Sequence, residues 1–337
     1  MGGVPTEILS DVLRAIRLTG AVFFEVDATS PWAAEAPPAS VLGPLVMPGA
    51  RQVIEYHVVL SGRGWARRLC DNADGEAVEL GPGSIVMFPQ GDAHVLSSRP
   101  GMRADPELSV YRQPRPDERL PFALVQGGGG PERTRIVCGF LGADALPLNP
   151  LLQALPPLVH VSGGVSEDGG WLGALIEAAL DESRGERLAS SGVLARLSEL
   201  IFIEAIRRYA EGLPDQSSGW LAALADPQIG LAIGKLHARS AEPWTLAALA
   251  REVGLSRSVL AERFVAQLGV PPMTYLQNWR MQVAEGLLRD GARSIADVAC
   301  EVGYASEDAF SRAYKRCTGQ SPSARLKRGS EIPSAAA

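Results

Sequence analysis

The chain has 337 residues, enough for two domains, and its 46% hydrophobic content is ordinary for globular structure. No run of about 18 apolar residues occurs, and the N-terminal residues MGGVPTEILSDVLRAI lack a signal-peptide pattern, so the sequence predicts a cytoplasmic protein without a membrane partner. Four cysteines without CxxC spacing, Cys70, Cys138, Cys300 and Cys317, argue against a disulfide framework or a zinc finger.

Short apolar runs broken by glycine, proline and aspartate fill the N-terminal third, from about Asp11 to Arg112. These runs are AVFFEVD, VIEYHVVLSGRGWARRL and EAVELGPGSIVMFPQGDAHVL. Runs of this length at regular spacing indicate an all-β barrel or sandwich. We therefore expect residues 1–125 to form a β domain.

Two of these runs resemble the sequence motifs of cupin barrels. Gly83, Pro89, Gly91 and His94 have the spacing of the second motif, and EYHVVLSGRGW, residues 55–65, resembles the first. The resemblance implies a small β-barrel of the kind that regulators use as a sensor domain.

Glu55, His57 and His94 form the candidate effector or metal site. Metal-binding cupins usually supply two histidines and a glutamate from the first motif, whereas this chain has only Glu55 and His57 there. Two imidazoles and a carboxylate can hold divalent zinc, iron or nickel with an open position, and residues two apart share one face of a strand. Two interpretations stay open: a metal site, or a cavity that the histidines line, either for a small molecule or without a ligand.

Cys70 and Cys138 offer a third interpretation, redox sensing. A thiol reports oxidants only if it is accessible and has a lowered pKa. Arg67 and Arg68 lie near Cys70 in sequence and would stabilise a thiolate. The alternative is a buried, unreactive thiol.

The segment after the predicted barrel divides into a break and a long helix. QGGGGPER, residues 126–133, indicates a flexible break, and SSGVLARLSELIFIEAIRRYAEG, residues 190–212, indicates an amphipathic helix. One stripe of this helix carries Leu194, Leu197, Leu200, Ile201 and Ala205. We expect a helical linker over residues 126–225, whose stripe is either intramolecular core or the surface that pairs two subunits of a homodimer.

A pattern of helix, glycine turn and second helix occurs twice in the C-terminal third. It runs through LAALAREVGLSRSVLAERF, residues 246–264, and IADVACEVGYASEDAFSRAY, residues 295–314. Matched apolar positions recur at i, i+3, i+4 and i+7, and Gly254 and Gly303 follow each first helix, where a left-handed residue ends it. The predicted N-caps are Thr245, Ser256, Ser294 and Ser306, with Asp297 completing a capping box. A helical connector, PPMTYLQNWRMQVAEGLL, would hold the two units at a fixed separation. The alternative interpretation is a helical bundle of duplicated hairpins without a role in DNA binding.

Residues 244–328 resemble the DNA-binding domain of the AraC/XylS family of bacterial transcription regulators. The resemblance rests on LAALAREVGLSRSVLAERF, NWRMQVAEGLLRDG and SIADVACEVGYASEDAFSRAYKRCTGQSPSARLKR. It implies two recognition helices in successive major-groove turns of double-stranded promoter DNA. It also implies that an effector changes operator affinity or contact with RNA polymerase, with activation or repression left open.

The side chains that face away from the apolar seam of each second helix are the predicted DNA contacts. They are Arg257, Ser258, Ala261, Glu262, Glu307, Asp308, Ser311, Arg312 and Lys315. Arginine reads guanine and carboxylates accept from cytosine N4, and we therefore expect Arg257 and Arg312 to read bases. Arg263 and Arg280 are secondary candidates for backbone contact.

The net charge of −6 divides unevenly: residues 226–337 carry +3 and the rest −9. The excess of basic charge therefore lies in the predicted DNA-binding domain. Because this excess is small, we expect few, well-placed phosphate contacts. A basic end that could meet the DNA backbone consists of Arg325, Lys327 and Arg328.

These features predict an α+β multidomain chain. Its parts are a cupin-like β-barrel over residues 1–125, a helical linker over 126–225, an all-α double helix-turn-helix domain over 226–330 and a disordered tail over 331–337. The predicted function is that of a sequence-specific transcription regulator, not an enzyme, whose cupin domain senses a small molecule, a metal or a redox signal. A metal-dependent cupin enzyme would leave the C-terminal third without a role, and a purely structural DNA-binding protein would leave the barrel without one.

Overall fold

The computed structural model divides the chain into a helical unit and a sheet unit. It describes residues 6–16, 18–70, 73–74, 76–115, 118, 120–143, 149–162, 174–175, 178, 181–182, 190–214 and 217–331. Of the tail predicted over residues 331–337, Glu331 is the last residue of a helix, and residues 332–337 lie outside the described residues. Within the described ranges we find no helix with the length and apolarity that a membrane span requires.

The sheet unit contains eleven strands among its described residues, a short 3₁₀ helix (Leu108–Val110) and two α-helices that are described over their whole length. The strands are β1 (Leu18–Thr29), β2 (Ala33–Ala36), β3 (Gln52–Ser61), β4 (Gly64–Cys70), β5 (Ala73–Asp74), β6 (Val78–Leu80), β7 (Ile85–Phe88), β8 (His94–Ser97), β9 (Phe122–Gly127), β10 (Arg133–Ala143) and β11 (Val159–Val161). The helices are α2 (Ala39–Val46) and α4 (Ser190–Glu211).

Two sheets face one another across an apolar core. One has the strand order β11-β7-β3-β10-β1-β9, and the other has the order β2-β8-β4-β5 with β6 beside β4. The core between them includes Phe23, Phe24 and Phe140, whose rings meet edge to face. The predicted cupin-like β fold is confirmed as two packed sheets, which are not closed into a continuous cylinder.

The glycine-rich segment after β9 is a turn within this sheet, although its composition indicated a break between domains. It joins β9 to β10, and these two strands flank β1 on either side. A Cβ at Gly127, where φ is +116°, would lie 1.9 Å from the carbonyl oxygen of Thr29. The glycines therefore serve close backbone approach, and the sheet continues through Ala143.

Helix α4 packs against β1 within the sheet unit. Its buried face includes Ser198, Ile201 and Phe202. The Tyr56 hydroxyl donates to Ser198 Oγ at 3.0 Å. The apolar stripe of α4 is therefore intramolecular core, while Leu200, which the sequence pattern placed beside it, is 37% exposed.

The helical unit contains ten further α-helices among its described residues. They are α1 (Thr6–Ile16), α3 (Pro150–Ala154), α5 (Trp220–Ala225), α6 (Ile229–Ala238), α7 (Leu246–Glu252), α8 (Arg257–Leu268), α9 (Pro272–Arg289), α10 (Ile295–Glu301), α11 (Glu307–Thr318) and α12 (Pro322–Glu331). Helix α1 belongs here and not to the β domain that we predicted for residues 1–125. Its buried residues are Ile8, Val12 and Ile16, and the Ile8 side chain lies 3.2 Å from the position of a Cβ on Gly234 of α6.

The two helix-turn-helix units begin and end as the sequence predicts. Each of the four predicted N-cap side chains accepts from a backbone N–H three residues on: Thr245 from Ala248, Ser256 from Val259, Ser294 from Asp297 and Ser306 from Ala309. Asp297 completes the capping box. Gly254 and Gly303 have φ of +71° and +81°, the left-handed conformation that ends α7 and α10.

Candidate functional site

A cavity of about 200 Å³ lies between the two sheets of the sheet unit. Its walls are mainly apolar and include Phe24, Val26, Trp32, Leu96, Tyr111, Leu124 and Phe140. Glu55, His57, His94 and Cys138 line one polar region of it. Such a cavity is the default position for a small-molecule site.

The strand register brings the three candidate effector residues together. Glu55 and His57 lie two apart on β3, Cys138 of β10 is the antiparallel partner of His57, and His94 begins β8 in the facing sheet. His57 Nε2 lies 2.8 Å from His94 Nε2, and Glu55 Oε2 lies 3.9 Å from that same His94 atom. The predicted cluster thus exists as a contact between the sheets.

Hydrogen bonds fix the tautomers of the two imidazoles. His94 Nδ1 lies 2.9 Å from the carbonyl oxygen of Asp92, which can only accept, so the proton resides on Nδ1. The neutral His94 Nε2 must then accept from His57 Nε2, which leaves His57 Nδ1 without a proton. This atom and Glu55 Oε1 are buried and have no hydrogen-bond partner within the described residues.

Burial makes this cluster uncharged at neutral pH. It lowers the pKa of His57 well below its ordinary value, with the neighbouring His94 adding to the effect, and lowers the pKa of His94 to about 4. It raises the pKa of the Glu55 carboxyl to about 8. Glu55, His57 and His94 therefore present hydrogen-bonding groups and no ionic charge to whatever occupies the cavity, while Glu35, Asp105 and Glu107 line other parts of its wall.

The donor set does not fit a metal ion as it stands. Although Glu55, His57 and His94 lie close together, the described part of the chain contains no group of three or more His, Cys, Asp or Glu side chains placed to hold one. The Nε2 atoms of the two imidazoles instead form a hydrogen bond with each other. We derive no metal-dependent step from this site.

Of the two redox candidates, Cys138 has a described side chain and Cys70 does not. Cys138 is buried, and burial together with the nearby Glu55 raises the pKa of its thiol. An oxidant-sensing thiol needs the opposite, exposure and a lowered pKa. Cys70 ends β4, and its side chain lies outside the described residues.

The predicted DNA-reading residues lie on the outer faces of α8 and α11. Arg257, Ser258, Glu262, Glu307, Asp308, Arg312 and Lys315 are exposed, and Ala261 and Ser311 are half-buried. Leu260 and Phe264 of α8, and Phe310 and Tyr314 of α11, are buried on the opposite faces. Within the part of the chain that the structure describes, the six charged members of this set have no ion-pair partner.

Comparisons with known proteins match both halves. Residues 7–211 match the cupin family, and residues 249–328 match a helix-turn-helix domain family. The chain is 34% identical over 276 residues to a putative AraC-like transcription regulator of Streptomyces antibioticus, covering 81% of this chain and 86% of that protein. It is 30% identical over 274 residues to the transcriptional regulator AlkR of Acinetobacter baylyi, covering 81% and 87%.

The chain is a member of the AraC-like transcription regulators. Among solved structures, an AraC-type transcriptional regulator from Chromobacterium violaceum is 27% identical, covers 32% of this chain and 97% of its own, and gives a TM-score of 0.31. The regulator combines a cupin-like sheet unit with a helix-turn-helix DNA-binding domain.

Three arginines that the sequence assigned to the DNA backbone have partners inside the regulator. Arg263 donates to Asp226 Oδ2 at 2.6 Å and to Gln228. Arg280 donates to the carbonyl oxygens of Ser240 and Glu242, both at 2.7 Å. Arg325 is 4% exposed and pairs with buried Glu285, so its assignment to an exposed basic end is wrong. Lys327 and Arg328 have side chains outside the described residues.

Sequence reasoning missed two residues of the cavity wall and one exposed apolar residue of α8. Trp32 and Tyr111 line the cavity, but each lies far in sequence from the cupin motifs. Val265 is 40% exposed on α8, although valine in a helix normally indicates core. Its position seven residues after Ser258 was the signal that could have placed it on the outer face.

Proposed function

We propose that the regulator recognises its operator through the outer faces of α8 and α11. The observation that carries this proposal is the set of exposed polar residues on two helices whose N-caps, C-caps and buried faces correspond. Each helix buries an aromatic residue in the unit behind it, Phe264 in α8 and Phe310 in α11, and presents the opposite face to solvent. A helix anchored on one face and polar on the other fits the major groove.

Arg312→Ala tests this assignment. A bidentate arginine–guanine contact discriminates against the wrong base by about 1–3 kcal/mol, so we expect a loss of roughly 5- to 160-fold in affinity and a relaxed preference at one base pair. The measurement is fluorescence anisotropy with duplexes selected from a random pool by the wild-type protein.

Arg207→Ala is the matched control, because it removes the same charge from an exposed residue of α4 in the sheet unit. It should leave both affinity and base preference unchanged. If Arg312→Ala also leaves both unchanged, Arg312 does not read a base.

We propose that the cavity of the sheet unit holds a small organic effector. Its mostly apolar walls and uncharged polar cluster support this, as does the volume: an apolar cavity of roughly 150 Å³ accepts benzene. An effector shifts the regulator between two states only by binding one of them more tightly. Because the Nε2 atoms of His57 and His94 bond to each other, we assign the cavity to binding and not to catalysis.

Elemental mass spectrometry and a thermal-shift screen test the effector proposal together. We expect no stoichiometric metal in the wild type or in His94→Ala. We expect compounds that raise Tm in the wild type to lose that effect in Ala36→Leu, which adds three carbons to the cavity wall. Stoichiometric metal that disappears in His94→Ala would replace the organic effector with a metal ion.

We propose further that effector binding changes operator affinity or contact with RNA polymerase, and that the protein acts in the cytoplasm, where bacterial promoter DNA lies. A homodimer stays a prediction, for which Val193 and Leu200 of α4, 42% and 37% exposed, supply apolar surface. The glycine turn before β10 and the burial of α4 also lead us to propose a sensor domain that continues through Glu211, beyond the boundary predicted at residue 125.

A further inference from the structure

The two recognition helices correspond residue by residue. Ser256 and Ser306 cap their N-termini, and Gly269 and Gly319, with φ of +71° and +76°, end them in the left-handed conformation. Both helices have twelve residues. Leu260 therefore corresponds to Phe310, and every exposed position on α8 has one counterpart on α11.

The outer stripes of the two helices differ in chemistry at corresponding positions. On α8 the stripe reads Ser258, Ala261, Glu262 and Val265, and on α11 it reads Asp308, Ser311, Arg312 and Lys315. Glu262 stands where α11 has Arg312, and Val265 stands where α11 has Lys315. These four positions therefore contain no cation on α8 and two on α11, whereas at the first residue of each helix α8 has the cation, Arg257, and α11 has Glu307.

Val265 gains nothing from a phosphate, since its side chain has neither charge nor hydrogen-bond donor. It is nevertheless 40% exposed, on the same face as Ser258 and Glu262. In the major groove the apolar group that distinguishes one base pair from another is the C5-methyl of thymine. Glu262 reinforces this assignment, because its carboxylate disfavours close approach of the phosphate backbone beside it.

We propose that Val265 contacts thymine methyl groups, so that α8 adds to any base reading by Arg257 an apolar contact that α11, with Lys315 at the corresponding position, lacks. The inference rests on the proposed function, because it requires that both outer faces enter the major groove. It assigns a specificity-determining role to Val265 and predicts that the two half-sites respond differently to the loss of a methyl group.

Replacing single thymidines by deoxyuridine in a selected duplex tests the proposal, since the two nucleosides differ only by the C5-methyl. Burying one methyl group contributes about 0.8 kcal/mol, so we expect roughly 3- to 10-fold weaker binding at one or more thymidines of the half-site that α8 reads. The half-site of α11, identified as the one where Arg312→Ala relaxes base preference, should change by less than about 2-fold. Full-length protein and fluorescence anisotropy give the dissociation constants.

Two substitutions at Val265 and one control complete the design. Val265→Ser and Val265→Asn, which remove both valine methyl groups and leave a polar side chain, should bind thymidine and deoxyuridine duplexes equally at the affected position. Val259→Ala removes an equally exposed valine, at 41%, that lies on α8 away from the stripe, and should keep the methyl dependence.

Three outcomes overturn the inference. The first is methyl dependence that survives both Val265 substitutions, the second is methyl dependence lost in Val259→Ala instead, and the third is no methyl dependence anywhere in the duplex. If the wild type binds no selected duplex better than random DNA, the proposed recognition function itself fails, which separates the two failures.

Discussion

The two helix-turn-helix units have corresponding helices, caps and turns, but different interactions stabilise their interiors. Behind the first unit, the Tyr275 hydroxyl accepts from Trp220 Nε1 at 2.8 Å and lies 2.8 Å from His237 Nε2. Behind the second, Glu285 accepts from the Tyr314 hydroxyl and pairs with Arg325, and all three are buried. One interior network is neutral and the other is ionic.

This difference predicts how each unit responds when one member of its interior network is removed. Burial lowers the pKa of His237 to about 3, so that its imidazole stays uncharged beside the Trp279 ring, which stacks on it at 3.9 Å. The first network therefore contains no charge that can lose its partner. The second contains a carboxylate whose burial is tolerable only while Arg325 remains.

Arg325→Met should produce the largest effect, because it leaves the Glu285 carboxylate buried and without its cation. Breaking a buried pair from one side destabilises by about 3–5 kcal/mol. We expect faster hydrogen exchange in peptides of α9, α11 and α12 of the full-length protein, with little change in α7 and α8. The double variant Glu285→Gln with Arg325→Met should recover much of the loss. A single variant as stable as the wild type would show that the ionic network does not distinguish the second unit.

Alanine at the two turn glycines should give a smaller, graded effect. Both glycines have positive φ, which disfavours an L-residue by roughly 1–2 kcal/mol. At Gly254 a Cβ would find no neighbour within 4 Å, whereas at Gly303 it would lie 2.2 Å from the carbonyl oxygen of Ala241. Gly303→Ala should therefore lower the free energy of unfolding in urea by roughly twice as much as Gly254→Ala. Equal losses would mean that the turns are equivalent and that the Ala241 contact relaxes freely.

Local sequence signals predicted the DNA-binding half well, because the interactions concerned are local. The caps at Ser256 and Ser294 bond to backbone three residues away, and Gly254 ends its helix through its own φ. The exposure of Arg257 and Arg312 followed from helical periodicity in the same way. Such features need no knowledge of the rest of the chain.

The candidate cavity could be predicted only in part. The cupin motifs correctly brought His57 and His94 to one place, because their strands carry the pattern of the motifs. Trp32 and Tyr111 complete the walls from positions that no local pattern relates to the motifs. The pairing of the two imidazoles with each other also depended on the distance between sheets, which spacing along the chain does not encode.

By itself, the sequence determined the family, the combination of a cupin-like sheet fold with a helix-turn-helix domain, and the outer faces of α8 and α11, since these depend on periodicity and on contacts between near neighbours. Only the tertiary structure decided that Arg325 is a buried ion partner, that α1 belongs to the helical unit and that the glycine-rich segment is a turn within a sheet. The physical reason is common to all three. Burial and pairing are set by residues distant in the chain. The role of an arginine, an amphipathic helix or a run of glycines therefore depends on which residues contact it in the folded protein.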